Sequence, residues 1–581
     1  MRLALAAWFC AAFAQAPEAR GGATGAARYQ VVIQAPPALR AELRRGLDIE
    51  RWTHWPGLRE QQLRSLVRAL PGQARRELEA LGYFTPRIEV RLHRSARPPQ
   101  LVLRVDPGPP TRVAGVHLQV RGPAPREASR LAARLLRHWE LGVGKVFVSS
   151  RWRSAKSGAL LRLGARRYAA ARIVGSRARV DPARHRAQLY LCLDSGPAYR
   201  FGALQVRGLR RYPESVVRNL LPWTRGDPYS QQQLLQLQAR LQDTHYFRQA
   251  TVAAPVAAAR GDELPVRVSV VEQRARRLGA GVGYSSNTGA RARLDYTDLN
   301  LLGRAWRLRG RIQAETLQQS MQASLALPRR ADGTRLLVLS RLRHADIQGL
   351  STRSQTLGVQ RRRAQHATET VESLQFIQEQ QRISGAGASS AMALMPGWSW
   401  SRSSLDNRLH PRSGSLLDLR VAAAARGLLS DQDFIRLYLH GLRVLPLGRR
   451  DQLVLRAQVG AVLSPSAAGI PQQVLFRAGG VGSVRGYAYQ SLGVRQDGAV
   501  VGGRALLTAG VEQVHWVLPS WGLALFADAG NAADRWAAWH PVLGWGVGVR
   551  WRSPAGLLSV NLAHGQASGS TRLEFHVGIG L

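Results

Sequence analysis

Four short segments in the second half of the chain carry residue types whose chemistry is complementary. The first is Val484-Arg485-Gly486-Tyr487, set in FRAGGVGSVRGYAYQSLG. Glycines at 479, 480, 482 and 486 permit tight, positive-φ turns that other residues resist. Arginine presents five donors in a rigid fork, so one held at the tip of such a turn seeks a fixed carboxylate. Phe526-Ala527-Asp528-Ala529-Gly530 contains one. By strand parity Asp528 shares a face with Phe526 and Ala524, while Leu523, Leu525, Ala527 and Ala529 make the other face wholly apolar. The third segment is the turn Asp406-Asn407 with Pro411-Arg412-Ser413-Gly414, leading into SLLDLRVAA. The fourth is Ser553-Pro554-Ala555-Gly556, leading into LLSVNLA, which holds Asn561. These residue types suit a clamp between fixed charges.

Bond-making chemistry has no comparable support. The fourteen histidines show no metal-ligand spacing, and no G-x-S-x-G nucleophile elbow occurs. Gly279-Ala280-Gly281-Val282-Gly283 falls in a strand pattern and not in a phosphate loop. No enzyme, cofactor or metal is expected. A net charge of +45 suggests nucleic acid at first sight. Of the 82 basic residues, however, only Lys145 and Lys156 are lysine, and the arginines run along the whole chain. That skew fits a GC-rich codon bias better than selection for phosphate binding, so no nucleic-acid partner is expected.

The elements that must position the clamp are strands. From about residue 277 the period is two: Leu278, Ala280, Val282 and Tyr284 alternate with glycines, and Trp306, Leu308, Ile312 and Ala314 alternate with Arg307, Arg309, Arg311 and Gln313. Leu453, Leu455, Ala457 and Val459 repeat the pattern, as do Leu573, Phe575, Val577, Ile579 and Leu581 at the end. Charged inner rows favour a wet barrel lumen over a soluble sandwich. At ~9–11 residues per strand the region holds roughly sixteen antiparallel strands, with Asn300-Leu301-Leu302-Gly303 as a tight hairpin.

Upstream, one motif recurs three times between about residues 28 and 273. Tyr83, Tyr168 and Tyr246 each precede a strand, and VDPGPPTRV and LDSGPAYRF follow the first two copies. Within a copy the order reads β-α-α-β-β, an α+β module. Tyr29 to Ile33 forms the first strand, and the leucines between Glu60 and Leu81 mark helix broken by Pro71-Gly72 into two pieces. Ser230 stands as a helix N-cap in the third copy. The start, MRLALAAWFCAAFAQA, reads as a secretory signal over residues 1–16. With Cys10 inside it, Cys192 is left as one thiol and no internal disulfide is expected.

Together the VRGY loop, the DN…P…G turn, the F-x-D-x-G strand and the S-P-x-G strand resemble the POTRA-plus-barrel outer-membrane assembly superfamily. The resemblance implies a signal peptide at 1–16, POTRA domains at 27–107, 108–196 and 197–273, and a transmembrane barrel at 274–581. It implies that Val484, Arg485, Gly486 and Tyr487 fold back into the lumen, where Arg485 meets acidic groups near Phe526, Asp528 and Gly530. The family's usual aspartate is Asn561 here, which weakens one expected partner of Arg485. Leu581 likewise replaces the usual terminal aromatic.

The resemblance further implies an assembly factor of the bacterial outer membrane, with POTRA domains in the periplasm. Its first strand (Leu278, Val282, Tyr284) and last strand (Phe575, Val577, Ile579, Leu581) would meet at a lateral seam. Exposed POTRA strand edges would capture extended chains. Three POTRA copies point to the TamA-like branch, whose partners are a TamB-like inner-membrane-anchored protein, client outer-membrane proteins and outer-membrane lipid. A two-partner-secretion exporter typically has two copies and a BamA-type insertase five.

Overall fold

The computed structural model describes residues 29–577 apart from 54–58, 97, 123, 366, 384–385, 408 and 555. The expected signal peptide, Ile579 and Leu581 lie outside the described residues, as does the side chain of Val577. The chain divides into two compact units. One comprises residues up to Ala203 with 225–232 and 254–265, and the other comprises 204–224, 233–253 and 266–581.

Three modules share one plan. The first runs strand Gln30–Gln34, helix Pro37–Gly46, a short turn of helix at Asp48–Arg51, helix Glu60–Ala80, then strands Arg87–His93 and Gln100–Asp106. Its opening strand lies parallel to the last, which also pairs antiparallel with the middle one. A parallel return needs a long crossover, and the helices supply it. The second module repeats this with strand Arg112–Arg121, helices Pro125–Arg137 and Ser149–Gly164, and strands Arg172–Asp181 and Arg186–Asp194. The third has strands Arg200–Arg207, Phe247–Ala253 and Glu263–Glu272 around helices Ser215–Arg218 and Gln231–Asp243.

Pro71 does not divide its helix, contrary to the sequence expectation. Glu60–Ala80 is one helix with the proline inside it, and the helix pair of the first module is Pro37–Gly46 with Glu60–Ala80. An interior proline costs about 3 kcal/mol. Leu70 and Leu78 are fully buried on either side of it, each contributing about 1.5–3 kcal/mol, so the buried stripe outweighs the break.

The second unit is dominated by sixteen antiparallel strands in simple sequence order, from Arg276–Ser285 to Ser570–Val577. Leu523 and Leu525 are exposed on the outer face, while Ala524, Phe526 and Asp528 are buried on the inner one. This is the alternation of a lipid-facing barrel with a lined interior. Among the described residues no helix is long and apolar enough to cross a membrane. At the Leu302 hairpin, Asn300 Oδ1 accepts from Ala305 N at 2.7 Å, tying the turn that joins strands Gly289–Leu301 and Trp306–Glu315.

The two end strands are joined at Ser286. Its hydroxyl donates to Phe575 O and accepts from Phe575 N, each at 3.1 Å. Within the same unit, the third module touches the barrel's turns. Tyr246 Oη donates to Ala305 O at 2.8 Å, and Asn300 Nδ2 donates to Arg211 O at 3.0 Å.

Candidate functional site: a lumenal arginine loop and the barrel seam

Residues 464–504 link the eleventh barrel strand, Asp451–Leu463, to the twelfth, Ala505–Trp516, and they do not stay outside the barrel. Ile470, Val474, Leu475 and Phe476 of this loop pack with Ile377, Ala393 and Met395, which face inward. The Arg436 guanidinium lies 4.7 Å from the Phe476 ring centroid. A short hairpin, Val494–Gln496 with Ala499–Val501, adds structure of the loop's own. The apolar contacts give the loop a small core within the barrel, so the lumen is filled on this side.

The tip is built from backbone. Gly479 and Gly480 take positive φ, Gly479 N donates to Ser483 Oγ at 2.8 Å, and Ser483 N donates to Gly480 O at 3.1 Å. Gly486 has φ +89°, and a Cβ there would come within 2.6 Å of His564 C. The wall opposite is equally bare: a Cβ at Gly544 would lie 1.9 Å from Arg485 O. Only glycine at both places lets the loop reach strands Val542–Ser553 and Gly556–Gly565. Gly482 has no positive φ and open space around it, so its glycine answers no such demand.

Arg485 is 2 % exposed and meets Asp528, which is 1 % exposed. Its Nε and Nη2 donate to the two carboxylate oxygens at 2.6 and 2.9 Å, and its backbone N donates to Oδ2 at 3.1 Å. Nη1 donates to Glu512 Oε2 at 2.5 Å. The guanidinium stacks 3.6 Å from the Phe526 ring centroid. Val484 is fully buried, and Tyr487 Oη donates to Leu543 O and accepts from Ala567 N at 3.1 and 2.9 Å. Gly530 pairs with Thr508 on the neighbouring strand.

Asn561 does not partner Arg485 in the way the sequence suggested. Its Oδ1 accepts from Arg550 Nη1 at 2.8 Å, and Arg550 Nε donates to Glu512 Oε1 at 2.8 Å. The amide is adequate because Arg550 already has a carboxylate in Glu512. Arg456 completes the set, with Nη2 3.0 Å from Asp528 Oδ1. The sequence reading missed Glu512, Arg550 and Arg456. Glu512 had a signal: it is the one acid in ALLTAGVEQVHW, on the row with Thr508 and Val514. The two arginines had none in so arginine-rich a chain.

The arrangement is a buried ion network holding a loop. Among the described residues no group of three His, Cys, Asp or Glu is placed to hold a metal. The Asp406 turn is locally tied, Oδ1 accepting from the backbone N of Asn407, Arg412 and Ser413. Ser553 Oγ donates to Gly556 O at 2.7 Å, while Ala555 lies outside the described residues. Leu278, Val282 and Tyr284 are 72, 92 and 70 % exposed on the first strand, and Phe575 is 42 % exposed on the last.

At the base of the barrel, Glu272 closes the third module onto its own loop. Burial pushes its carboxyl up, but the backbone N–H groups of Arg210 and Arg211 and the Arg211 guanidinium hold it below the usual range.

Comparisons with known proteins cover both parts of the chain. Residues 273–581 match the Omp85 superfamily domain, residues 37–107 match a POTRA domain described as TamA domain 1, and residues 199–273 match a POTRA family described as a surface antigen variable number repeat. The outer membrane protein assembly factor BamA of Nitratidesulfovibrio vulgaris is 25% identical over 370 residues, 60% of this chain and 46% of that protein. The chain thus spans about half the length of this curated relative. The crystal structure of Haemophilus ducreyi BamA lacking POTRA domains 1-3 aligns with a TM-score of 0.66 at 18% identity, covering 79% of this chain and 98% of that one.

Proposed function

The chain belongs to the Omp85 superfamily, and on that premise we propose that it is an assembly factor for outer-membrane proteins of the TamA-like branch. The observation that carries the proposal is a buried Arg485–Asp528–Glu512 clamp inside a sixteen-stranded outer-membrane barrel whose end strands meet at Ser286. A seated loop fills one side of the lumen, which suits work at the wall better than passage through the pore. The seam would part and offer its edge to a client strand, since an unpaired strand edge templates pairing.

The TamA-like assignment rests on the match of the first POTRA domain and on the three modules. It brings two partners with it: client outer-membrane proteins, and a TamB-like protein anchored in the inner membrane. Outer-membrane lipid is the surrounding solvent for Leu523, Leu525 and their row. The proposed module boundaries stay at 27–107, 108–196, 197–273 and 274–581.

In-cell crosslinking from the open edge strand Arg87–His93, followed by purification in detergent, tests the partner. A long inner-membrane-anchored protein is expected. Recovery of a single secreted polypeptide instead would replace this reading with a dedicated exporter.

A further inference from the structure

Glu574 is a buried acid that the Arg485 clamp does not use. It lies on the last barrel strand, Ser570–Val577, and is 3 % exposed. Its Oε1 accepts from Gly486 N at 3.0 Å, the residue next to Arg485 in the loop tip. Its Oε2 has no hydrogen-bond partner among the described residues. A buried acid is costly unless it is bonded, so the tie to Gly486 N fixes where the loop tip must sit against this strand. On the same strand, Ser570 Oγ donates to Gly486 O at 3.4 Å, giving the tip a second tie.

The adjoining contacts close a ring. Phe575, the next residue, meets Ser286 of the first hairpin turn through both backbone atoms. Asn287 Oδ1, beside Ser286, accepts from Val481 N of the loop at 3.4 Å. The loop tip, the last strand and the turn after the first strand are thus bonded pairwise. The pair that forms the seam is bridged on one side by Glu574 and on the other by Asn287.

We infer that Glu574 is a positioning residue that couples the arginine loop to the last strand, so that unseating the loop and parting the seam are one event. A strand shift at the seam moves Glu574 and strips Gly486 N of its acceptor. Conversely, a loop pulled from Asp528 tugs the last strand away from Ser286. The function this serves rests on the assembly reading above, but the coupling is a property of the protein alone.

The test is amide hydrogen exchange at Phe575, whose N donates to Ser286 Oγ, in the full-length protein in detergent micelles. Seam opening is read as the rate of deuterium labelling of that amide. Losing a charge-assisted bond to a buried group shifts such an equilibrium by about tenfold. Glu574→Ala and Arg485→Ala should each raise labelling by that order, and the double variant should rise no further. Glu574→Gln, which keeps an acceptor oxygen, should stay within about threefold of the parent and guards against a folding defect. Unchanged labelling in Glu574→Ala, or rises that multiply in the double variant, overturns the coupling. Neither result depends on any client, so failure of the coupling and failure of the assembly reading are separately visible.

Discussion

Arg485 divides its fork between Asp528 and Glu512 while stacking on Phe526, and each of those contacts asks for something a lysine lacks. Truncation strips the buried carboxylates of Asp528 and Glu512 of the cation they share. Arg485→Ala should therefore lower barrel stability by about 3 kcal/mol, measured as a shift in the urea midpoint of the refolded protein. Arg456 stays on Asp528 and Arg550 on Glu512, which keeps the loss at the low end of that class. Arg485→Lys keeps the charge but loses the bidentate geometry and should cost about 1–2 kcal/mol. Equal losses for the two variants would mean that charge alone holds the loop. A methyl group at Gly544 makes a different test, because it collides with Arg485 O without touching any charge. Gly544→Ala should release residues 479–487 to protease while leaving the strands intact.

Among the elements, the modules show where the sequence speaks and where it does not. Strand parity placed Asp528 and Phe526 on one inner face because period two is a local property, and the barrel strands obey it. The helix at Glu60–Ala80 was misread at Pro71 because a proline's local penalty is visible in sequence whereas the burial opposing it is tertiary. Leu78→Ala should cost about 2–5 kcal/mol, seen as faster amide exchange through residues 60–80 of the full-length protein. Pro71→Ala should slow that exchange. The recurring tyrosines carry the same lesson. Tyr168 donates to Glu127 Oε1 at 2.7 Å, burial and that neighbour pushing its phenol up to about 12, whereas Tyr246 donates to the barrel turn at Ala305. One repeated letter marks one place in the module but not one partner. Glu574 was hidden for a related reason: its partner is a backbone N–H of a glycine 88 residues away.

For the molecule as a whole, the +45 charge takes on a different meaning once the strands are in register. Arg309, Arg311, Arg341 and Arg343 sit on the rows opposite Leu308, Ile312 and Leu342, so a part of that excess lines the lumen and not a nucleic-acid groove. Apolar rows such as that of Leu523 and Leu525 turn outward, and the seated loop fills one side of the lumen, which favours the wall at the seam as the proposed place for a client. That is the central proposition, and a lock on the seam tests it most directly. Ser286→Cys with Phe575→Cys, in a Cys192→Ser background, would be oxidised and reconstituted into liposomes, and the insertion rate of an unfolded outer-membrane barrel protein measured before and after reduction. The locked protein should insert no faster than empty liposomes, with the rate restored on reduction. Insertion by the locked form at the reduced form's rate would contradict the seam as the site of assembly.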